Sequence, residues 1–302
     1  MAASAEELND LGGKLSAKGW YVEAEKAYRD AAASAPNWSV PWYNLGLMQK
    51  YRGEWAASME CNLLATELAP SDEAAWWNLG IAATALGQWK QARLAWQQCG
   101  ISVPEGDGPI EMDLGSVPIR LNGRADGEVV WATRIDPARA VVLNIPLPDS
   151  GHRWRDLVLH DGAANGHRML RGREVPVFDA LHRLERSRYR TFVVDVEAGP
   201  DAMEMLSTVA DDLGGAAEDW STNTRILCKE CSEGTPGHLH DVDLSSPAHP
   251  SAGVAARDRH HLDDILATWS QRPGAGQILA VHEPPADAVE QDVPADGSSP
   301  RR

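Results

Sequence analysis

The 302-residue chain carries 44 acidic against 28 basic side chains, a net charge of -16, and a pI near 5.0. That sign repels the phosphate backbone of nucleic acids and an anionic membrane surface, so neither is expected as the main partner. Hydrophobic content of 43% is ordinary for a globular protein, and the length has room for two or three domains, each with its own core.

In chain order, the N-terminus (Met1 to Lys14) carries Glu6, Glu7 and Asp10 and no apolar segment, so it does not read as a secretory leader. No apolar run approaches the ~20 residues a membrane helix needs. Four cysteines without an export signal do not read as a disulfide scaffold. The expected location is the cytoplasm, and the preference for Arg over Lys hints at a GC-rich bacterial source.

A self-similar pattern follows. Trp42-Tyr43-Asn44-Leu45-Gly46 returns as Trp76-Trp77-Asn78-Leu79-Gly80, and Pro36, Pro70 and Pro104 recur every 34 residues. Such a period marks stacked supersecondary units. The units fall at 5–38, 39–72 and 73–106, within a first domain at 1–106. Large apolar residues at helical spacing give each helix a buried stripe. Gly12, Gly46 and Gly80 are small where two helices cross, with Ala24, Ser58 and Ala92 opposite them. Gly19, Gly53 and Gly87 sit at the hairpin turns, and each proline closes a second helix. Ser71 is the expected capping hydroxyl ahead of Asp72 and Glu73.

Those positions resemble the tetratricopeptide repeat (TPR) family over the first third of the chain. The resemblance implies a concave groove lined by the first helix of each hairpin. Here that lining would be Tyr43, Leu47, Lys50, Tyr51, Trp77 and Ile81, with Glu6, Asn9, Gly13, Val40, Ala74 and Thr84 at its margins. Some members clamp a peptide carboxylate with Lys and Arg on this face. Lys50 is the only cation at these positions, so the groove is expected to be apolar instead. Tyr43, Tyr51 and Trp77 could together expose roughly 450–750 Å², more than the few hundred Å² a soluble monomer leaves bare. Either the chain's own C-terminal modules or a partner peptide or helix would cover them. Glu105-Gly106-Asp107-Gly108-Pro109 is linker chemistry, so the third hairpin needs a cap from the next domain or from a second copy in a dimer.

Residues 110–190 alternate in hydropathy. Strands are expected at 117–121, 128–134, 140–147 and 156–160, and 166–170 could pair with 174–178 across Arg171-Gly172-Arg173. A short helix is expected at 179–186. The pattern suggests a small β-barrel or sandwich. The segment is rich in arginine, including Arg120, Arg134 and Arg168; contact with the chain's own acidic C-terminal third is the favoured use over nucleic acid, since no aromatics interleave. His160-Asp161, with His152 and His167, is its most enzyme-like group. Neighbours on a strand face opposite ways, so His160 and Asp161 are not expected to act as a pair.

Residues 190–283 show two βαβ units: strand 189–197, helix 200–213, strand 221–228, then strand 252–256, helix 257–270, strand 277–281. That order resembles a ferredoxin-like α+β sandwich. Cys228 and Cys231 have metal-ligand spacing, and His238 and His240 would complete a tetrahedron around one structural zinc. Thiols with no ion, or a redox disulfide, are the other readings. Residues 284–302 read as a disordered tail. The whole describes a non-enzymatic adaptor that binds a peptide or helix. A metal-dependent enzyme in the C-terminal two-thirds, regulated by the repeats, is the alternative.

Overall fold

The computed structural model describes residues 3–122, 128–170, 172–220 and 251–283. Two compact units emerge, one built on Met1–Met112 with Asp136–Ala138, the other on Asp113–Ile135 and the described residues from Arg139.

The first unit is helical: α1 (Ala5–Ala17), α2 (Tyr21–Ser34), α3 (Ser39–Arg52), α4 (Trp55–Leu68), α5 (Glu73–Ala85) and α6 (Trp89–Gln98). Its starts are chemically marked. The Ser4 hydroxyl accepts from the Glu7 N–H at 3.1 Å while the Glu7 carboxylate accepts from the Ser4 N–H at 2.8 Å, a reciprocal cap. For α5 the cap is Asp72 rather than the expected Ser71: its carboxylate accepts from the N–H groups of Ala74 and Ala75. A carboxylate there also complements the positive helix end. Each hairpin turns through a glycine with left-handed backbone, at φ 78, 75 and 64° for Gly19, Gly53 and Gly87. A side chain would strain that conformation.

Hairpin packing is set by one notch. A β-carbon added to Gly12, Gly46 or Gly80 would stand 2.4–2.7 Å from Tyr28, Asn62 or Trp96, respectively. Consecutive helices therefore touch backbone to side chain, with Ala24, Ala65 and Ala92 fully buried around the contact. After α6 the chain is not helical, yet it is pinned: Arg93 Nε donates to the Pro104 carbonyl at 2.9 Å, and Val103 and Ile110 are buried.

The second unit holds two sheets. Strands β1 (Ser116–Arg120), β2 (Val129–Arg134), β3 (Arg139–Val142), β4 (Leu157–Leu170) and β5 (Arg173–Glu185) pair in sequence. The sheet closes on itself because β1 also pairs with β5 in parallel, Ile119 opposite Phe178 and Arg120 opposite Asp179. Inside lie Val117, Ile119, Leu121, Val130, Val142 and Phe178.

Three expectations here are corrected. The helix expected at 179–186 is instead strand through Glu185: Ala180, His182 and Glu185 pair with β4, and that ladder outweighs a weak local helix preference. The expected pairing across 171–173 is the far end of this much longer hairpin. The strand expected to reach Leu147 stops at Val142, because the Asn144 side chain takes the Trp131 N–H at 2.6 Å and ends the ladder.

The second sheet comprises β6 (Arg190–Glu197), β7 (Ala216–Asp219), β8 (Ser251–Ala256) and β9 (Gln277–His282) in the order β7-β8-β6-β9, with every described pairing antiparallel. Helices α7 (Pro200–Asp212) and α8 (Arg259–Ser270) pack through Leu206, Ile265 and Trp269 onto Phe192, Val194 and Val196. The buried Trp269 indole donates to the Ala202 carbonyl at 2.8 Å and so ties the two helices together. The expected strand at 221–228 lies outside the described residues; the strand described after α7 is β7.

Candidate functional site

On the helical unit, the first helices carry Tyr43, Leu47, Lys50 and Tyr51 at i, i+4, i+7 and i+8 of α3, and Trp77 and Ile81 at i and i+4 of α5. These spacings place each set on one helix face. Tyr51 is 46% exposed, Tyr43, Leu47 and Trp77 are half-buried, and Lys50 and Ile81 are buried. The Lys50 ammonium sits 4.5 Å from the Tyr51 ring centre, so the single cation of this face is engaged by an aromatic. Trp77 packs edge-on against Trp96 at 5.2 Å and 72°. The Asn44 side-chain amide donates to Asn9 at 2.9 Å, which joins α3 to α1, and Asn78 is buried. Both asparagines are thus part of the packing.

At the turn end of the hairpins, Arg52 bridges Glu25 at 3.1 Å and Glu54 at 2.6 Å, and Arg29 meets Glu25 at 2.8 Å. Burial acts to raise the Glu25 pKa, but the hydrogen bonds and charges of Arg29 and Arg52 outweigh it and hold the carboxyl below its ordinary value. The free thiols Cys61 and Cys99 are each pushed up to about 11, chiefly by burial. They are protonated packing groups rather than nucleophiles.

In the second unit the enzyme-like histidines do not gather. His160 is fully buried, stacks on Phe178 at 5.1 Å, and its Nδ1 faces the Asp161 backbone carbonyl at 3.1 Å. The Asp161 carboxylate instead accepts from the Ala163 N–H. Burial, then the Arg134 charge, lowers the His160 pKa to about 4. His152 lies 3.6 Å from Asp156, while His167 is paired with Glu174 at 3.7 Å on the surface.

An arrangement not foreseen lies on the second sheet. The Ser251 hydroxyl donates to one Asp195 oxygen at 2.8 Å, and His282 Nε2 meets the other at 2.7 Å. The carboxylate stands in the middle, so the imidazole is not placed to take the serine proton as a hydrolytic triad requires. Strand pairing of Asp195 with Ser251 brought these residues together, and no local motif announces it.

Cys228, Cys231, His238 and His240 lie outside the described residues. Among the described residues no group of three or more His, Cys, Asp or Glu side chains converges as a metal site requires, and no helix is long and apolar enough to cross a membrane.

No family model matches the chain, and no curated protein does. Solved structures that resemble it include the Sgt2 TPR domain from Aspergillus fumigatus, at 25% identity and a TM-score of 0.30 over 32% of this chain and 63% of that one. The second TPR of Spaghetti (RPAP3), solved with an HSP90 peptide, is 20% identical with a TM-score of 0.31, over 32% of this chain and 89% of that one. A mutant O-GlcNAc transferase from Thermobaculum terrenum is 20% identical with a TM-score of 0.30, over 33% of this chain and 20% of that one. Paired helices, a 34-residue period from Pro36 to Pro70 to Pro104, and a glycine notch in each hairpin make the N-terminal third a resemblance of the tetratricopeptide repeat family.

Proposed function

We propose that this protein is a non-enzymatic interaction protein whose helical repeats bind an apolar peptide or helix through Tyr43, Leu47, Tyr51 and Trp77. The observation that carries this reading is the alignment of partly exposed aromatic and aliphatic side chains along α3 and α5, with the one cation, Lys50, buried against Tyr51. A surface of that kind gains affinity from apolar burial at i, i+4 anchors rather than from ion pairs. Peptides selected by display on the full-length protein are expected to be apolar. Tyr51→Ala, at a half-exposed position outside the core, is expected to weaken a selected peptide at least about tenfold, the loss of one good aromatic anchor. Selected peptides whose affinity ignores both Tyr51→Ala and Tyr43→Ala would sink the proposal.

In the same reading the domains are 1–106, 110–190 and 190–283, followed by the tail 284–302. The closed five-stranded sheet is read as a small barrel. The order β7-β8-β6-β9, with both helices on one face, supports a ferredoxin-like sandwich. Cys228, Cys231, His238 and His240 are proposed to hold one structural zinc, whose four protein ligands would leave no open position for chemistry. Metal analysis of tag-free protein is expected to return one zinc per chain; its absence would withdraw the assignment.

A further inference from the structure

Repetition supplies an internal control for the surface of the helical unit. At a spacing of 34 residues, Leu11 of α1 corresponds to Leu45 of α3 and Leu79 of α5, and Lys14 corresponds to Met48 and Ala82. Leu45 and Met48 pack with Ala24 and Tyr28 of the hairpin before them, and Leu45, Leu79 and Ala82 are fully buried. This is the helix face on which successive hairpins stack. On α1 the same face is open: Leu11 is 45% exposed, and Lys14 is exposed as well.

Trp20 widens this open surface. Its N–H donates to the Leu15 carbonyl at 3.0 Å, which folds the chain back over the end of α1, and the Lys18 ammonium lies 5.4 Å from its ring centre. Trp20 is 56% exposed, whereas the matching positions of the other two hairpins carry the polar Glu54 and Gln88. The far end of the array offers no such face. Ala92 and Trp96 of α6, which match Ala24 and Tyr28, are fully buried, and Arg93 Nε holds the following segment through the Pro104 carbonyl at 2.9 Å. Head-to-tail stacking of copies is thereby closed, and the α1 face is left to meet itself. A face that meets itself does so about a two-fold axis, and growth stops at two copies.

Charge makes the α1 face complementary to itself. Its first half carries Glu6, Glu7 and Asp10 and its second half Lys14 and Lys18, all exposed. Glu7, Leu11, Lys14 and Lys18 follow one helix stripe, at i, i+4, i+7 and i+11. With a rise of about 1.5 Å per residue, an antiparallel pair crossing at Leu11 sets the partner's Glu7 about 6 Å from the axis, between Lys14 and Lys18 at about 4.5 and 10.5 Å. A parallel pair would set like charges side by side. We propose that this protein associates with a second copy of itself through α1, antiparallel about a two-fold axis at Leu11, with Trp20 at each rim. One helix pair lies below the ~1,200 Å² of a standard interface, so the dissociation constant is expected in the micromolar range or weaker. The contact is independent of the peptide groove proposed on α3 and α5.

The test is sedimentation equilibrium of the full-length protein from micromolar to submillimolar concentration, with circular dichroism to check that each variant keeps its helices. A monomer–dimer equilibrium without larger species is expected. Leu11→Glu should raise the dissociation constant at least about tenfold, because two like charges would face each other at the axis. Glu7→Lys alone, and the double variant Lys14→Glu with Lys18→Glu alone, should each lose the dimer, since each opposes like charges. Mixed together, these two proteins should regain it, because every facing couple is again of opposite sign. Glu7→Lys also gives up the reciprocal cap with Ser4, so Leu11→Glu carries the test if that variant does not fold. A protein that stays monomeric throughout, growth beyond a dimer, a dimer indifferent to Leu11→Glu, or folded charge variants that stay monomeric when mixed would overturn the proposal.

Discussion

Gly12 and Gly13 stand side by side in α1, yet their substitution by alanine should move stability in opposite directions. At Gly12 the new β-carbon would lie 2.6 Å from two Tyr28 ring carbons, whereas at Gly13 its nearest neighbour is the Tyr28 hydroxyl at 3.7 Å. Tyr28 is buried in the repeat core and cannot swing away, so overpacking of about 1–3 kcal/mol outweighs the gain in helix propensity at Gly12. Gly13→Ala meets only ordinary contact and should stabilise the array by about 0.5–1 kcal/mol. Thermal melts of the two variants followed by circular dichroism check the pair, and a shared sign would refute the notch. His160 gives a second residue-level expectation. Its folded pKa of about 4 lies below the ordinary 6.5, so stability is fully present above about pH 6.5 and falls as pH drops toward 4. The shift corresponds to about 3 kcal/mol in total. His160→Leu should flatten that part of the stability–pH curve in urea titrations.

At the scale of elements, the second unit shows how one side chain ends a strand. Asn144 takes the Trp131 N–H through its oxygen and donates through Nδ2 to Glu218 at 2.7 Å, while the Ile145 N–H donates to the same carboxylate at 2.9 Å. Asn144→Ala removes both side-chain bonds and leaves their partners short, which should cost about 1–3 kcal/mol, measured as a lower urea midpoint for the sheet unit. Nothing local to residues 140–147 discloses this, because the partners sit on β2 and β7. The same reason hid the strand at 179–185: its identity depends on the β4 ladder, while the short run Asp179–Arg186 read alone has helical spacing. The six helices were legible because their information is local and repeated three times in register. That Tyr43, Leu47 and Tyr51 share one face of α3 was legible for the same reason. The burial of Lys50 and Ile81 was not, since it depends on packing that the repeat pattern leaves open.

For the whole molecule, the net charge of -16 governs what approaches it. Long-range repulsion should keep the full-length protein from binding heparin even at low salt, despite the arginines of the β-rich segment. Retention that weakens steeply with added salt would show instead that a local basic surface dominates over the net charge. The two compact units differ in kind. One is a stack of near-neighbour contacts, the other two sheets whose partners lie far apart in sequence. Fast local folding of the helices ahead of the sheets follows from that difference in contact range.

The middle hairpin differs from its neighbours where its notch is filled. Tyr28 and Trp96 bring rings to Gly12 and Gly80, but Gly46 receives Asn62, which is fully buried and spends its amide on the Ser58 carbonyl and hydroxyl. Its carbonyl oxygen is enclosed without a hydrogen-bond partner, as is the Trp96 indole N–H, but Asn62 also brings no apolar ring to its notch. In a linear stack each unit is held only by those beside it, so rupture starts at the weakest joint and not at an arbitrary one. Amide deuterium uptake should therefore be faster in α4 than in α2 or α6, the centre of the array opening before the hairpins on either side of it.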